Sequence, residues 1–249
     1  MDEKQEKLNE MLTLILESSQ GMPDFVFQYY LDHEKDPKKK IVYNLVADSY
    51  LTLFSYCLLM FNHAWSQAFS LLRVGLEQVA AVYLLAFCDG AIERYIDLNE
   101  LKAEYAKLES ETEQNGFLKN HNIPKGKENS FFDYSWIRPC GSREKYGRVQ
   151  LLQLAKLDEF NADIENSLNA FAHGSVSVFQ MNGNNWDVMK RYGRRASMTC
   201  CKLFDFLCCS YCKMIGEQEF SKLPIDGNFK QFKSLYMSCF EKCFSMGVD

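Results

Sequence analysis

The chain has no glycine-rich phosphate loop, no Gly-x-Ser-x-Gly elbow and no His-Glu-x-x-His pair. The common short signatures of nucleotide hydrolysis, serine-esterase chemistry and zinc proteolysis are therefore excluded. It also lacks an excess of positive charge. Its 249 residues carry 28 Lys and Arg against 33 Asp and Glu, a formal charge of −5. That balance gives no global positive field for non-specific nucleic-acid binding. The first residues, Met1 to Asn9, are charged and polar, without an apolar run or a small-residue cleavage site. No secretory signal is read there, so a cytoplasmic chain is expected. Internal repeats are missing, and only Ser175–Gln180 is β-branched enough to suggest a strand.

Cysteine, by contrast, is plentiful, with ten residues. Cys200, Cys201, Cys208, Cys209 and Cys212 fall in one helix-like segment, and adjacent cysteines make poor disulfide geometry. All ten are expected as thiols, acting mainly as small buried hydrophobes. Cys201, Cys208, Cys212 and the Cys239–Cys243 pair have helical spacing rather than the short knuckles of structural zinc. Cys209-x-x-Cys212 lies mid-helix with no preceding strand, unlike a thioredoxin-type motif. No metal and no cofactor are expected.

Hydrophobic residues make up 47% of the chain, enough for a sizeable core. Two apolar runs, Ile41–Phe61 and Ala64–Cys88, are long enough to raise a membrane reading. The first carries Asn44, Asp48, Ser49, Thr52 and Ser55, and the second carries Arg73, Glu77 and Gln78 near its middle. Charge at a bilayer centre is costly, so both runs read as central helices of a soluble bundle, with no membrane partner.

The periodicity predicts an all-α fold, a single-domain bundle of six or seven helices with a long aromatic-rich loop. Residues 1–34 form an N-terminal helical extension, 35–215 the core bundle and 216–249 a C-terminal helix. Helices are expected over Lys4–Ser19, from Asp36-Pro37 to Phe61, over Ala64–Cys88 and from Ile92 to Leu108. A short aromatic segment, Phe25–Leu31, stands between the first two, and Asn62 is expected to supply a left-handed turn. The fourth helix frays into Glu109–Asn115. From Gly116 to Arg148 the periodicity breaks down among Pro124, Pro139 and several glycines, and Phe131, Phe132, Tyr134 and Trp136 are expected to dock that stretch as an ordered loop. Further helices follow over Val149–Leu157, from Asp158 to His173-Gly174, over Trp186–Ile215 and over Asn228–Met246. Asn182–Asn185 is a turn.

Two constellations carry chemistry. Arg73 and Glu77, four residues apart, share one face of an otherwise apolar helix. They read either as a structural ion pair or as a buried pair that needs a further polar partner. The second is Asn169-Ala170-Phe171-Ala172-His173-Gly174-Ser175. His173 there can carry a proton or contact a phosphate, or simply cap its own helix. Lys190, Arg191, Arg194 and Arg195 form a basic cluster that reads either as a phosphate or RNA contact or as a solvated helix end.

In order along the chain, an Arg-x-x-x-Glu helix (Arg73, Glu77), an aromatic-Ser-Trp segment (Tyr134-Ser135-Trp136) and a helix ending in Asn169-x-x-x-His173-Gly174-Ser175 resemble a family of bacterial helical proteins of unknown function. The resemblance spans about residue 35 to residue 212, with Asn169 standing where Ser is more usual. That family is distantly similar to HEPN domains, helical bundles common in bacterial defence and toxin systems. Many of those cut RNA with an Arg-x(4–6)-His motif. That motif is missing here, since Asn166, Ser167 and Leu168 stand where the arginine would.

The resemblance implies a binding or interaction module, with a nucleotide or RNA as the ligand and a homodimer as the assembly. The alternative is an RNA- or nucleotide-directed enzyme using Arg73, Glu77 and His173, with Asn169, Ser175, Arg191, Arg194 and Arg195 binding the ligand. In either case Arg73, Glu77 and His173 are expected to converge. A broad apolar stripe on the last helix, Tyr236, Phe240, Cys243 and Phe244, is a second reason to expect self-association, although such stripes often belong to a core.

Overall fold

Apolar residues three and four apart, Val42, Tyr43, Val46, Tyr50, Leu53 and Cys57, set one buried face along the helix Lys40–Phe61. The computed structural model describes residues 3–33, 35, 39–141, 146–160 and 186–244, with backbone alone at residues 4, 33, 186–191 and 239–244. Its elements in chain order are α1 (Glu3–Gln20), α2 (Met22–His33), α3 (Lys40–Phe61), α4 (Trp65–Phe87), α5 (Ala91–Tyr105), α6 (Glu111–Asn120) and α7 (Glu128–Tyr134). A 3₁₀ segment (Ser135–Cys140), α8 (Arg148–Leu154), α9 (Trp186–Ile215), α10 (Glu217–Phe220) and α11 (Ile225–Phe244) complete the order. No strand occurs among the described residues, and the fold is all-α.

α3 and α4 form a helical hairpin closed by three residues, Asn62 to Ala64. The turn is made by His63, at φ 58°, rather than by the expected Asn62, whose φ is −90°. Asn62 serves differently: its side-chain amide donates to the Leu58 carbonyl at 2.7 Å, the same oxygen that accepts its backbone N–H at 3.1 Å. By length and composition α3 and α4 could each cross a membrane. Their buried faces lie against each other and against α9.

α9 spans 30 residues, roughly 45 Å at 1.5 Å per residue. Ala196, Cys200, Leu203, Phe204, Leu207, Cys208, Tyr211 and Ile215 recur at helical spacing and are all buried. This explains three of the ten cysteines, since Cys200, Cys201 and Cys208 are fully enclosed as small apolar side chains. Tyr50 and Tyr56 cross from α3 to α9, Tyr56 hydroxyl meeting Ser197 Oγ at 3.3 Å and Tyr50 hydroxyl donating to Cys208 Sγ at 3.7 Å. Burial pushes both phenols well above their ordinary range, which keeps them neutral donors in the core.

The N-terminal helices add Leu8, Met11, Leu12, Ile15, Met22 and Val26 to the same core. The aromatic segment Phe25–Leu31 is itself helical, as part of α2. At the other end Phe229 and Phe232 pack on Phe204, and Tyr236 stacks on Phe232. The described part of the terminal stripe therefore belongs to the core, while the side chains of Phe240, Cys243 and Phe244 lie outside the described residues. Asp36-Pro37, Ser175–Gln180 and Asn182–Asn185 lie outside them too.

Two expectations about the middle of the chain change in detail. Instead of fraying after residue 108, the chain starts α6 with a full capping box, in which Ser110 Oγ accepts from the Glu113 N–H and Glu113 accepts from the Ser110 N–H. Gly116 to Arg148 does dock through its aromatics, with Phe132 and Trp136 buried, but its described residues are built largely of short helices rather than loop. Periodicity over so few residues cannot signal these helices, and among them only α6 carries a side-chain N-cap.

Glycine-to-alanine changes separate packing from propensity. A Cβ on Gly193 of α9 would fall 2.8 Å from the Trp65 ring, whereas one on Gly116 of α6 meets nothing within 4 Å. Gly193→Ala is expected to destabilise by roughly 1–3 kcal/mol, because the rigid indole cannot yield. Gly116→Ala is expected to stabilise by roughly 0.5–1 kcal/mol through the unfolded chain and helix propensity. Urea midpoints of both variants check the opposite signs, and shifts in the same direction would contradict this packing.

Candidate functional site

Glu77 sits midway along α4, where nearly every neighbour in sequence is apolar. Its carboxylate is satisfied from two later elements. Tyr134, the last residue of α7, donates its hydroxyl to Glu77 Oε2 at 3.1 Å. Arg148, the first residue of α8, donates Nε to Glu77 Oε1 in a short ion pair. The Arg148 side chain is 15% exposed and that of Glu77 31%, so the pair is held largely out of water. In that setting a charge-assisted hydrogen bond is worth more than at the surface. Burial, followed by the charge of Glu77 and the hydrogen bond to it, pushes the Tyr134 phenol up to about 12.

The supporting contacts explain how Tyr134 arrives there. Trp136 packs edge-on against Tyr95 of α5 at 5.3 Å, and its indole N–H donates to the Asp133 carbonyl. Lys102 of α5 pairs with Asp133 at 2.6 Å. Arg138 lies over the Tyr146 ring at 4.3 Å, and Phe131 meets the same ring edge-on. The aromatic-Ser-Trp segment is thus an anchored strap, and its tyrosine is delivered to the carboxylate.

Arg73 occupies α4 one turn before Glu77 and is half-buried. Glu77 accepts from Tyr134 and Arg148, and Arg148 is not among the residues that the sequence singles out. A signal for it exists in the sequence: an arginine directly after Gly147 opens a helix, where the dipole disfavours a cation. Such an arginine is expected to reach for a carboxylate elsewhere. Asn169, His173 and Ser175 lie outside the described residues, and with them the expected convergence on Arg73 and Glu77. In the basic cluster, Arg194 and Arg195 are exposed on α9, and Arg194 Nε donates to Gln5 of α1 at 3.3 Å. The side chains of Lys190 and Arg191 lie outside the described residues.

Thiols need one correction. Cys88, the C-cap of α4, and Cys140, the end of the 3₁₀ segment, are joined as a disulfide with Cα atoms 5.9 Å apart. The expectation of ten thiols considered cysteines close in sequence, whereas these two are 52 residues apart and meet only through the fold. Arg94 of α5 lies beside both sulfurs, with Nη2 3.5 Å from Cys88 Sγ and 3.4 Å from Cys140 Sγ. Its other donors hold the Trp136 carbonyl at 3.2 Å and the Asp89 carbonyl at 3.0 Å. Among the described residues no group of three or more His, Cys, Asp and Glu could hold a metal ion.

The chain matches no protein-family model, no curated protein and no solved structure.

Chemically the arrangement is a carboxylate whose two oxygens each accept from a different element, so it fastens α7 and α8 to α4. Arg148→Ala is expected to cost about 1–3 kcal/mol and Tyr134→Phe about half as much, as for hydrogen bonds to a charged partner. Denaturant melts measure both. A folded Tyr134 keeps its proton to about 12, while an unfolded tyrosine releases it near 10. The stability linked to this group is therefore whole below the unfolded value and is lost as pH rises towards the folded one. A phenolate absorbance titration of wild type minus Tyr134→Phe should show ionisation near the higher value, and a transition at the ordinary one would contradict the site.

Proposed function

We propose that the chain is a cytoplasmic binding or interaction module of HEPN-like type, acting in bacterial defence or stress response, with a nucleotide or RNA as ligand. The observation that supports binding over catalysis is the engagement of Glu77 by Arg148 and Tyr134. A general base needs an oxygen placed to receive the substrate's proton. A carboxylate already accepting on both oxygens from an arginine and a tyrosine is suited to hold structure. The half-buried Arg73 beside it and the exposed Arg194 and Arg195 are the cations through which an anionic ligand would be held. Self-association as a homodimer belongs to the same reading.

The rival is an RNA- or nucleotide-directed enzyme in which Arg73, Glu77 and His173 act together. Cleavage would need a base near the 2′-hydroxyl and a cation on the phosphorane, and Asn169 near His173 cannot neutralise charge. Labelled single-stranded RNA incubated with the protein in EDTA is expected to stay intact, while Arg73→Ala weakens nucleotide or RNA binding in a thermal-shift series. Cleavage by wild type that disappears in His173→Ala would establish the enzyme instead.

A further inference from the structure

We propose that Cys88 and Cys140 form a reversible redox latch, opened by exchange with a dithiol reductant, which fastens the strap carrying Tyr134 to the end of α4. The inference stands on the geometry of the two sulfurs and Arg94, whether or not the Glu77 site binds a ligand.

Position supplies the first argument. Cys140 closes the 3₁₀ segment that begins directly after Tyr134, and Cys88 closes α4, the helix bearing Glu77. The bond therefore ties the two elements whose meeting presents a tyrosine to the carboxylate. Both residues are half-buried, whereas Cys200, Cys201 and Cys208 are sealed in the core.

Arg94 supplies the second. Its guanidinium touches both sulfurs and is fixed by two backbone carbonyls, Trp136 and Asp89. A fixed cation stabilises a thiolate, which improves the leaving sulfur and favours the reduced pair. Cysteines elsewhere differ. Burial raises Cys200, Cys208, Cys209 and Cys212 as thiols, with Cys209 pushed up to about 11. Exchange chemistry thereby favours this pair over those four.

The step balances as follows. A thiolate of the reductant attacks one sulfur, the S–S bond breaks, and its electron pair leaves on the other sulfur as a thiolate beside Arg94. The reductant's second thiol, deprotonated, attacks the mixed disulfide and releases the second cysteine. Two electrons pass to the protein, the reductant becomes a disulfide, and its two protons go to solvent or to the released cysteines.

The test uses the full chain, equilibrated anaerobically in graded mixtures of reduced and oxidised dithiothreitol, trapped with N-ethylmaleimide and read by peptide mass spectrometry. Cys88 and Cys140 are expected to change together, without global unfolding. Hydrogen exchange over residues 128–141 should be severalfold faster in the reduced form. Arg94→Gln should shift the equilibrium about tenfold towards the disulfide, as loss of an adjacent opposite charge does, while Arg94→Lys shifts it less. Cys140→Ser keeps Arg94 and gives an independent reading: Cys88 in it should alkylate several times faster at neutral pH than a model thiol. A bond that never forms, one that opens only on unfolding, or a Cys88 no more reactive than the model thiol would each overturn the latch.

Discussion

Everything else in this fold depends on α9 lying across the α3–α4 hairpin at close range. Tyr50, Leu53 and Tyr56 of α3 and Leu72, Leu76 and Val79 of α4 are fully buried, as are Leu203, Phe204 and Leu207 of α9. A Cβ on Gly75 would come within 3.3 Å of the Thr52 methyl and 4.0 Å of Leu203, so the missing side chain lets three helices meet at one level. α1 and α2 then cover one side of α3, and α11 closes over Phe204. Tyr50 and Tyr56 keep their hydroxyls partnered across this seam, which avoids the cost of two orphaned polar groups in a dry core.

On α4 the polar exception to that core becomes an attachment point. Glu77 would be an expensive guest on so apolar a helix if it stood alone. Tyr134 and Arg148 compensate it from two sides, and α7 and α8 are drawn onto the bundle. The same segment is tied a second time at Cys88–Cys140 and a third time by Arg94 holding the Trp136 carbonyl. Three chemically different ties on one strap distinguish it from α1 or α11, which are held mainly by apolar packing.

That contrast connects the fold to the proposed binding role. Apolar packing is indifferent to ligands and redox state, whereas an ion pair, a phenol hydrogen bond and a disulfide each respond to a solution condition. A module whose polar site is framed by such ties has a place where occupancy and environment can be coupled.

The long helices were legible because their signals are local, whereas the short ones between Glu111 and Cys140 were not. Trp186–Ile215 was read to its ends, since eight buried positions repeat at helical spacing and Gly216 stops it. The hairpin was legible from its two apolar runs, and Gly90 takes the left-handed conformation that punctuates α4. Arg73, Glu77 and Tyr134 were singled out for the same reason, as polar or aromatic departures from a local pattern. What they touch was not legible. Spacing placed Arg73 beside Glu77, and only the fold brought Arg148 from 71 residues away to the same carboxylate. Cys88 and Cys140 likewise lacked any local signature, and only the docking of the 3₁₀ segment on the end of α4 put their sulfurs together. Sequence determined the elements, because hydrophobic period and caps act within a few residues; tertiary structure decided the partners, because those depend on where rigid helices cross.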